Sequence, residues 1–417
     1  MRIFFLGDPQ YSPEDYPALR RIGLDIASAS PDLTIVLGDY GIGADNGTGR
    51  GFEDALGRIG PFPEATIFML GNHDVQGEAG ERYVPSGTVR ESYRKAFGCY
   101  PENRFLEFPD FRVFVINLDI QPVCHYSTRG ECYVSEEHFH EIELKLSERP
   151  GVPVVMVTHA PPIGTGLVTV PDRHIRANNA YMDQFNEPGK WMRLYQRHRE
   201  IVLWICGHYH LGHEVPGTLV KEGHTVFALC GVATSESRTA SRHSRVLDIT
   251  SGEVRLSTFD HISHSMKDQP DLIHKGPLSS IMEEDWPASG TFLSGMGRLK
   301  ALASGGGKLY ALTEGNYVWE IDPGLRATMG TLSNASSPTV LAIKAEEEYI
   351  WLYTEGWRYG VRYSSPRRFK NKFNTPDAAK EPFQGPLPES GGRIAVIDGR
   401  RYEVSDGDDD RLHLRRI

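Results

Sequence analysis

Two aspartates, an asparagine and three histidines stand at the ends of apolar runs, and their types and spacing point to a pair of metal ions. Asp8 follows Ile3-Phe4-Phe5-Leu6, and Asp39 follows Leu33-Thr34-Ile35-Val36-Leu37. A Gly71-Asn72-His73-Asp74 turn follows Thr66-Ile67-Phe68-Met69-Leu70. His159 closes Val154-Val155-Met156-Val157-Thr158, while His208 and His210 close Ile201-Val202-Leu203-Trp204-Ile205. Such runs read as buried strands, and open α/β sheets carry their chemistry at strand carboxyl ends. Two divalent cations held about 3.5–4 Å apart need a bridging carboxylate, hard oxygen donors and imidazoles on loops that converge at one sheet edge. Asp39 is expected to bridge, with Asp8 and His210 on one ion and Asn72, His159 and His208 on the other. The expected reaction is in-line attack on phosphorus by a metal-bridging hydroxide, because two cations depress the pKa of bound water.

Strands and helices must alternate to bring those ends together. Residues 17–29, with Leu19, Ile22, Ile26 and Ala29 on one face, form a helical pattern between the first two strands. Helical patterns also cover residues 52–59, 88–97 and 135–146, and strand patterns cover 112–117, 225–229 and 245–249. Strand, helix and strand in succession build a parallel sheet. Residues 121–133 read as an irregular insertion, and residues 164–179 as a long loop rich in Gly, Thr, Arg and Asn, a natural lid after a ligand-bearing strand. Arg129, His174, Arg176 and Asn178 lie in these loops and are candidate grips for a substrate phosphate. Ordinary polar loop residues are the competing reading for all four.

The 417 residues allow two or three domains, and 39% hydrophobic with 24% charged residues is the balance of a globular protein with a large core. A net charge of -10 disfavours a nucleic-acid binder, which needs clustered Lys and Arg. No run near Met1 has the length of a signal sequence or membrane span, and five cysteines without paired spacing suit reduced thiols in a cytoplasm. Cys124 and Cys132 bracket one loop and could pair on oxidation.

Three domain segments are expected: a catalytic domain over residues 1–262, a linker over 263–289, and an all-β accessory domain over 290–417. The last carries an internal repeat. Leu309-Tyr310-Ala311-Leu312-Thr313-Glu314-Gly315 aligns with Ile350-Trp351-Leu352-Tyr353-Thr354-Glu355-Gly356, and more loosely with Ile394-Ala395-Val396-Ile397-Asp398-Gly399. A spacing of roughly 41 to 45 residues with hairpin signals suggests three related units, either a trefoil-like barrel or an incomplete propeller.

Five motifs in order, Asp8-Pro9-Gln10, Gly38-Asp39, Gly71-Asn72-His73-Asp74, Thr158-His159 and Gly207-His208-Tyr209-His210, resemble the calcineurin-like metallophosphoesterase superfamily over roughly the first 260 residues. The resemblance implies a four-layer α/β/β/α sandwich and a dinuclear Mn, Fe, Zn or Mg site. It also assigns His73 to the leaving-group oxygen, as acid or transition-state donor, with Asp74 orienting it. Gln10 stands where the family usually has His and joins the metal set as a weaker donor. An Asp-x-Gln opening is similar to the ADP-ribose/CDP-alcohol diphosphatase branch, which points to phosphoanhydride or diester substrates, and the expected partner is a small phosphorylated, nucleotide-like molecule. Ile42 occupies the position of the purple acid phosphatase tyrosine, and Asp39-Tyr40-Gly41-Ile42-Gly43 lacks the longer signature of Ser/Thr phosphatases.

The expected function is a metal-dependent phosphoesterase acting on a phosphomonoester, phosphodiester or nucleoside-diphosphate-type bond. The alternative is a catalytically impaired binding or scaffold protein of the same fold, Gln10 being the damage. A DNA repair nuclease is a third reading, against which the acidic first domain argues.

Overall fold

The apolar runs of the first half form two sheets, and they lack polar alternation because both faces of each sheet are covered. In the computed structural model the described residues are 1–417 except 43–48, 76–85, 120–131, 176, 178, 185, 288–290, 295–296, 334–336, 364–378, 390–392 and 407–410. The chain divides into two units, Met1–Leu167 with Tyr181–Ala288, and Val168–Ala180 with Ser289–Ile417.

The first unit runs through β1 (Arg2–Leu6), α1 (Leu19–Ser28), β2 (Leu33–Val36), α2 (Arg50–Ile59), β3 (Thr66–Phe68), α3 (Asn72–Val75) and α4 (Ser86–Phe97). There follow β4 (Arg104–Glu107), β5 (Arg112–Val115), α5 (Glu136–Glu148), β6 (Val154–Thr158), α6 (Gly189–Arg197) and β7 (Ile201–Cys206). The unit ends with β8 (Leu219–Glu222), β9 (Thr225–Leu229), β10 (His243–Ile249), β11 (Glu253–Asp260), β12 (Ser265–Met266) and β13 (Leu272–Lys275).

One sheet has the order β12-β11-β10-β1-β2-β3, with β13 also paired to β11, and the other the order β4-β5-β6-β7-β9-β8. Strands β1, β2 and β3 are parallel, as are β5, β6, β7 and β9. Ile3, Phe5, Ile35 and Leu247 of the first sheet share a core with Val113, Val155, Leu203 and Val226 of the second. On the far face of the second sheet Trp204 meets Trp191 of α6 at 6.0 Å between ring centroids, and Trp191 meets Phe139 of α5 at 5.0 Å. Burying each such side chain contributes roughly 1.5–3 kcal/mol. Helix, sheet, sheet and helix are the expected four layers.

The boundaries differ from the expected ones in two places. Residues 263–287 are no linker: β12 and β13 pair antiparallel with β11, and Leu272, Leu278 and Ile281 sit in the shared core. In turn, Val168–Ala180 groups with the second unit, where the turn Pro171–Ile175 packs against strand Ala327–Ser333.

The second unit contains β14 (Thr291–Ser294), β15 (Leu299–Gly305), β16 (Lys308–Thr313), β17 (Tyr317–Asp322), β18 (Ala327–Ser333) and β19 (Ala342–Ala345). It continues through β20 (Tyr349–Thr354), β21 (Trp357–Arg362), β22 (Ala379–Pro382), β23 (Ile394–Ile397), β24 (Arg400–Asp406) and β25 (Arg411–Arg416). Its sheets are β15-β16-β17-β18, β19-β20-β21-β22 and β14-β25-β24-β23. Four-stranded meanders of this kind are propeller blades rather than the hairpins of a trefoil, and β14 completes the last blade from the front of the segment. The repeat is legible in its turns: Gly315, Gly356 and Gly399 all hold φ between +72° and +79°, a region that favours glycine.

A pair of stacked histidines makes the first unit sensitive to acid. His213 and His243 lie 5.0 Å apart between ring centroids, and each ring accepts a backbone N–H: His243 Nδ1 from His213 and His213 Nε2 from Gly231, both at 3.0 Å. Burial, then the cations Lys267 and Arg245, push His243 down to about 4, and burial pushes His213 well down too. Between pH 6.5 and 4 the unfolded chain therefore binds a proton at His243 that the fold refuses. The stability is complete above about pH 6.5 and lost as pH falls, by about 3 kcal/mol. Urea unfolding at pH 8 and pH 4 should show that difference in wild type relative to His243→Asn, which keeps an acceptor and cannot titrate.

Candidate metal centre

Parallel pairing brings the strand ends Asp8, Asp39 and Asn72 to one edge of the first sheet, and His159, His208 and His210 to one edge of the second. Four of these residues hold a left-handed backbone, φ +30° at Asp8, +60° at Asp39, +73° at His208 and +52° at His210. Such conformations cost roughly 1–2 kcal/mol each and persist where the surroundings over-determine them. Here the surroundings are the other ligands: His208 N–H donates to Asp8 Oδ2 at 2.9 Å, and His73 N–H to Asp39 Oδ1 at 2.8 Å.

The side chains meet in two groups. Asp8, Asp39 and His210 each offer a ligand atom within 4.8 Å of the others, and all three are buried. His159 and His208 form the second group with Cys132, again within 4.8 Å. His159 Nε2 joins the groups, lying 2.9 Å from Asn72 Oδ1, 3.3 Å from Asp39 Oδ2 and 3.8 Å from Asp8 Oδ1. The opposite nitrogens are fixed by carbonyls, His159 Nδ1 by Leu37 at 2.7 Å and His210 Nδ1 by Glu236 at 3.0 Å. A carbonyl only accepts, so each Nδ1 carries a proton and each Nε2 is the nitrogen turned toward the cluster, the orientation of metal-binding histidines.

Electrostatics mark the same place. Burial alone would lower His159, but the Asp39 and Asp8 carboxylates outweigh it and hold the imidazole at about 10. A proton and a cation thus compete for one position. Burial would raise Asp39, yet His159 and His73 hold it well below the usual carboxylate range. Asp39 Oδ2 is buried and faces His159 Nε2 at 3.3 Å without a well-formed hydrogen bond, so a bridging cation would meet an oxygen not otherwise saturated.

The glycines ahead of the ligands admit neighbouring carboxylates. A Cβ on Gly71 would stand 2.1 Å from Asp39 Oδ1, and one on Gly207 2.3 Å from Asp8 Oδ2. Gly71→Ala and Gly207→Ala should each weaken divalent-cation binding on the order of 10- to 100-fold by displacing a carboxylate. Competition with a chelating dye measures it, and unchanged circular dichroism separates it from unfolding.

The family model of calcineurin-like phosphoesterases matches residues 1–212, half of the chain. The chain belongs to that family. No curated protein sequence matches it. Among solved structures, a conserved uncharacterized protein of Streptococcus pneumoniae TIGR4, described as a predicted phosphoesterase, is 11% identical, with 66% of this chain and 97% of that chain covered at a TM-score of 0.30. Vacuolar protein sorting 29 of Cryptosporidium parvum is 12% identical over the same shares at 0.31. A novel phosphatase of Mycoplasma pneumoniae is 11% identical, covering 68% and 97% at 0.29.

Calcineurin-like phosphoesterases hold divalent metals, and six of the seven expected ligands have contacts that join this cluster. The seventh, Gln10, is nearly buried, its backbone bridged to Gly41 and its carbonyl accepting from Thr234 Oγ1 at 2.5 Å. His73 is half-buried beside the cluster. The Asp74 carboxylate accepts from the amides of Gly71 (2.7 Å), Asp39 (2.8 Å) and Tyr40 (3.1 Å), stitching the turns that carry Asp39 and Asn72 together. Burial, then the Asp39 charge, raise its pKa. His174 is buried in the second unit, while Arg129, Arg176 and Asn178 lie outside the described residues. Sequence reasoning missed Cys132 as a neighbour of the imidazoles and Asn117, whose Oδ1 accepts from Leu70 N–H at 2.7 Å. Among the described residues no helix is long and apolar enough to cross a membrane.

Proposed function

We propose that the chain is a dinuclear metal-dependent phosphoesterase, acting on a small phosphomonoester, phosphodiester or nucleoside-diphosphate-type substrate. The observation that carries the reading is the convergence of Asp8, Asp39, Asn72, His159, His208 and His210, with the buried Asp39 Oδ2 facing His159 Nε2 at 3.3 Å. The donor set fits two hard or borderline cations. Asp8 and His210, with Gln10, would hold one ion, Asn72, His159 and His208 the other, and Asp39 both. Bound there, the ions would supply Lewis-acid charge to a phosphoryl group and to water.

The protein's own residues supply the rest. Leu37 and Glu236 carbonyls aim two imidazoles, and Asp74 fixes the turn that carries Asp39. His73, tethered through its amide to Asp39 and half-buried, is the proton donor for the leaving-group oxygen. The thiols and composition favour a cytoplasmic setting.

Gln10 favours a second reading, a binding protein with a weakened first site, since an amide oxygen is a poorer donor than imidazole. One experiment separates them. Protein stripped of metal and reloaded with Mn(II) should hydrolyse an aryl phosphodiester or a member of a panel of monoesters, cyclic nucleotides and nucleotide diphosphates, and lose that activity again on chelation. Two bound ions with no turnover on the whole panel would favour the scaffold, and no bound ion would overturn both.

A further inference from the structure

We propose that Cys132 is a ligand of the second ion, giving the half of the centre built by Asn72, His159 and His208 a sulfur donor. This rests on the dinuclear reading above and specifies which metal that half prefers.

The thiol is fully buried, and its Sγ lies with ring nitrogens of His159 and His208 inside a 4.8 Å span. Donor atoms around one tetrahedral ion with bonds of 2.0–2.3 Å stand roughly 3.5 Å apart, so this span is the reach of a single cation. One of those imidazoles is tied to the rest of the centre: His159 Nε2 lies 3.3 Å from Asp39 Oδ2 and 2.9 Å from Asn72 Oδ1.

The backbone at Cys132 is tied down. Its carbonyl accepts from Asp183 N–H at 2.8 Å, and the residue forms a bridge with Met182. Asp183 in turn accepts from Val134 N–H at 3.2 Å and Trp191 Nε1 at 2.7 Å. The neighbouring Tyr133 carbonyl accepts from Asp119 N–H at 2.8 Å. A buried cysteine is ordinarily a small hydrophobe. This one is instead fixed beside two imidazoles. On binding, the thiol gives its proton to solvent and the sulfur pair to the metal. A soft donor among imidazoles selects Zn, Fe(II) or Co(II) over Mg and Mn.

Reduced, full-length protein loaded with Co(II) should show a sulfur-to-cobalt charge-transfer band that Cys132→Ser lacks. The substitution should lower Zn(II) affinity on the order of 10- to 100-fold while leaving Mn(II) affinity nearly unchanged. X-ray absorption at the zinc edge of wild-type protein needs no variant and should show a sulfur at about 2.3 Å. Bound zinc with only nitrogen and oxygen neighbours, or equal Zn-to-Mn preference in both proteins, overturns the assignment and leaves the dinuclear reading standing. Wild-type protein that binds neither Co(II) nor Zn(II) overturns the assignment, and one that binds no divalent ion, Mn(II) included, overturns the dinuclear reading with it.

Discussion

Asp39→Asn is expected to reduce hydrolysis on the order of a thousandfold, a loss of several kcal/mol of transition-state stabilisation. Asp8 and Asp39 are the two carboxylates of the clustered donors, so the substitution removes half of the fixed negative charge that faces the ions. It also replaces one carboxylate oxygen by an amide NH2, which cannot bridge. Misfolding is a poor alternative explanation, because Asn tolerates the left-handed φ of +60° at this position and its carbonyl still accepts the His73 N–H. Metal analysis and turnover on the best substrate of the panel measure the effect. Asp39→Asn protein with two tightly bound ions and near wild-type turnover would remove Asp39 from the centre.

The candidate ligands are legible in the sequence because strand ends carry them, and a run such as Val154-Val155-Met156-Val157-Thr158 announces a buried parallel strand before any coordinates exist. The parts that aim them are not. Leu37 and Glu236 act through main-chain carbonyls, which leave no trace in residue type. Gly71 and Gly207 could be seen ahead of Asn72 and His208, but which carboxylate each admits depends on how two sheets meet. Asp74 sits next to His73 in sequence, yet its oxygens turn back to amides on another strand's loop. Cys132 belongs to a stretch with no period of its own, so only the tertiary fold brings it beside His159. Residues 168–180 gave no local sign that they join the second unit, whose three-fold repeat was plain from its turns.

Residues 263–289 read as a linker because β12 and β13 are edge strands, short and polar on one side, and the consequence should be measurable at Asp271. Asp271→Ala is expected to destabilise the first unit by about 3 kcal/mol, far more than a linker substitution would. Its carboxylate pairs with Arg245 Nη1 at 2.7 Å and accepts from Thr258 Oγ1 at 2.6 Å. Arg245 is fully buried on β10 of one sheet, and its Nε donates to the Leu229 carbonyl on β9 of the other at 3.0 Å, so the guanidinium staples the two sheets. Burial lowers its pKa, and its Nη2 has no partner among the described residues. Without Asp271 a buried cation keeps only neutral acceptors, which is why breaking such a pair costs several kcal/mol. The lower end of that range applies because Asp271 is 29% exposed and water can replace part of the lost interaction. Replacing both partners is a different matter, since Arg245→Met removes the charge that Asp271→Ala strands. Urea unfolding of both single variants and the double variant should therefore show strong non-additivity, the double variant recovering much of the loss. Additive effects, or a loss at Asp271 within about 0.5 kcal/mol, would return the segment to the status of a linker.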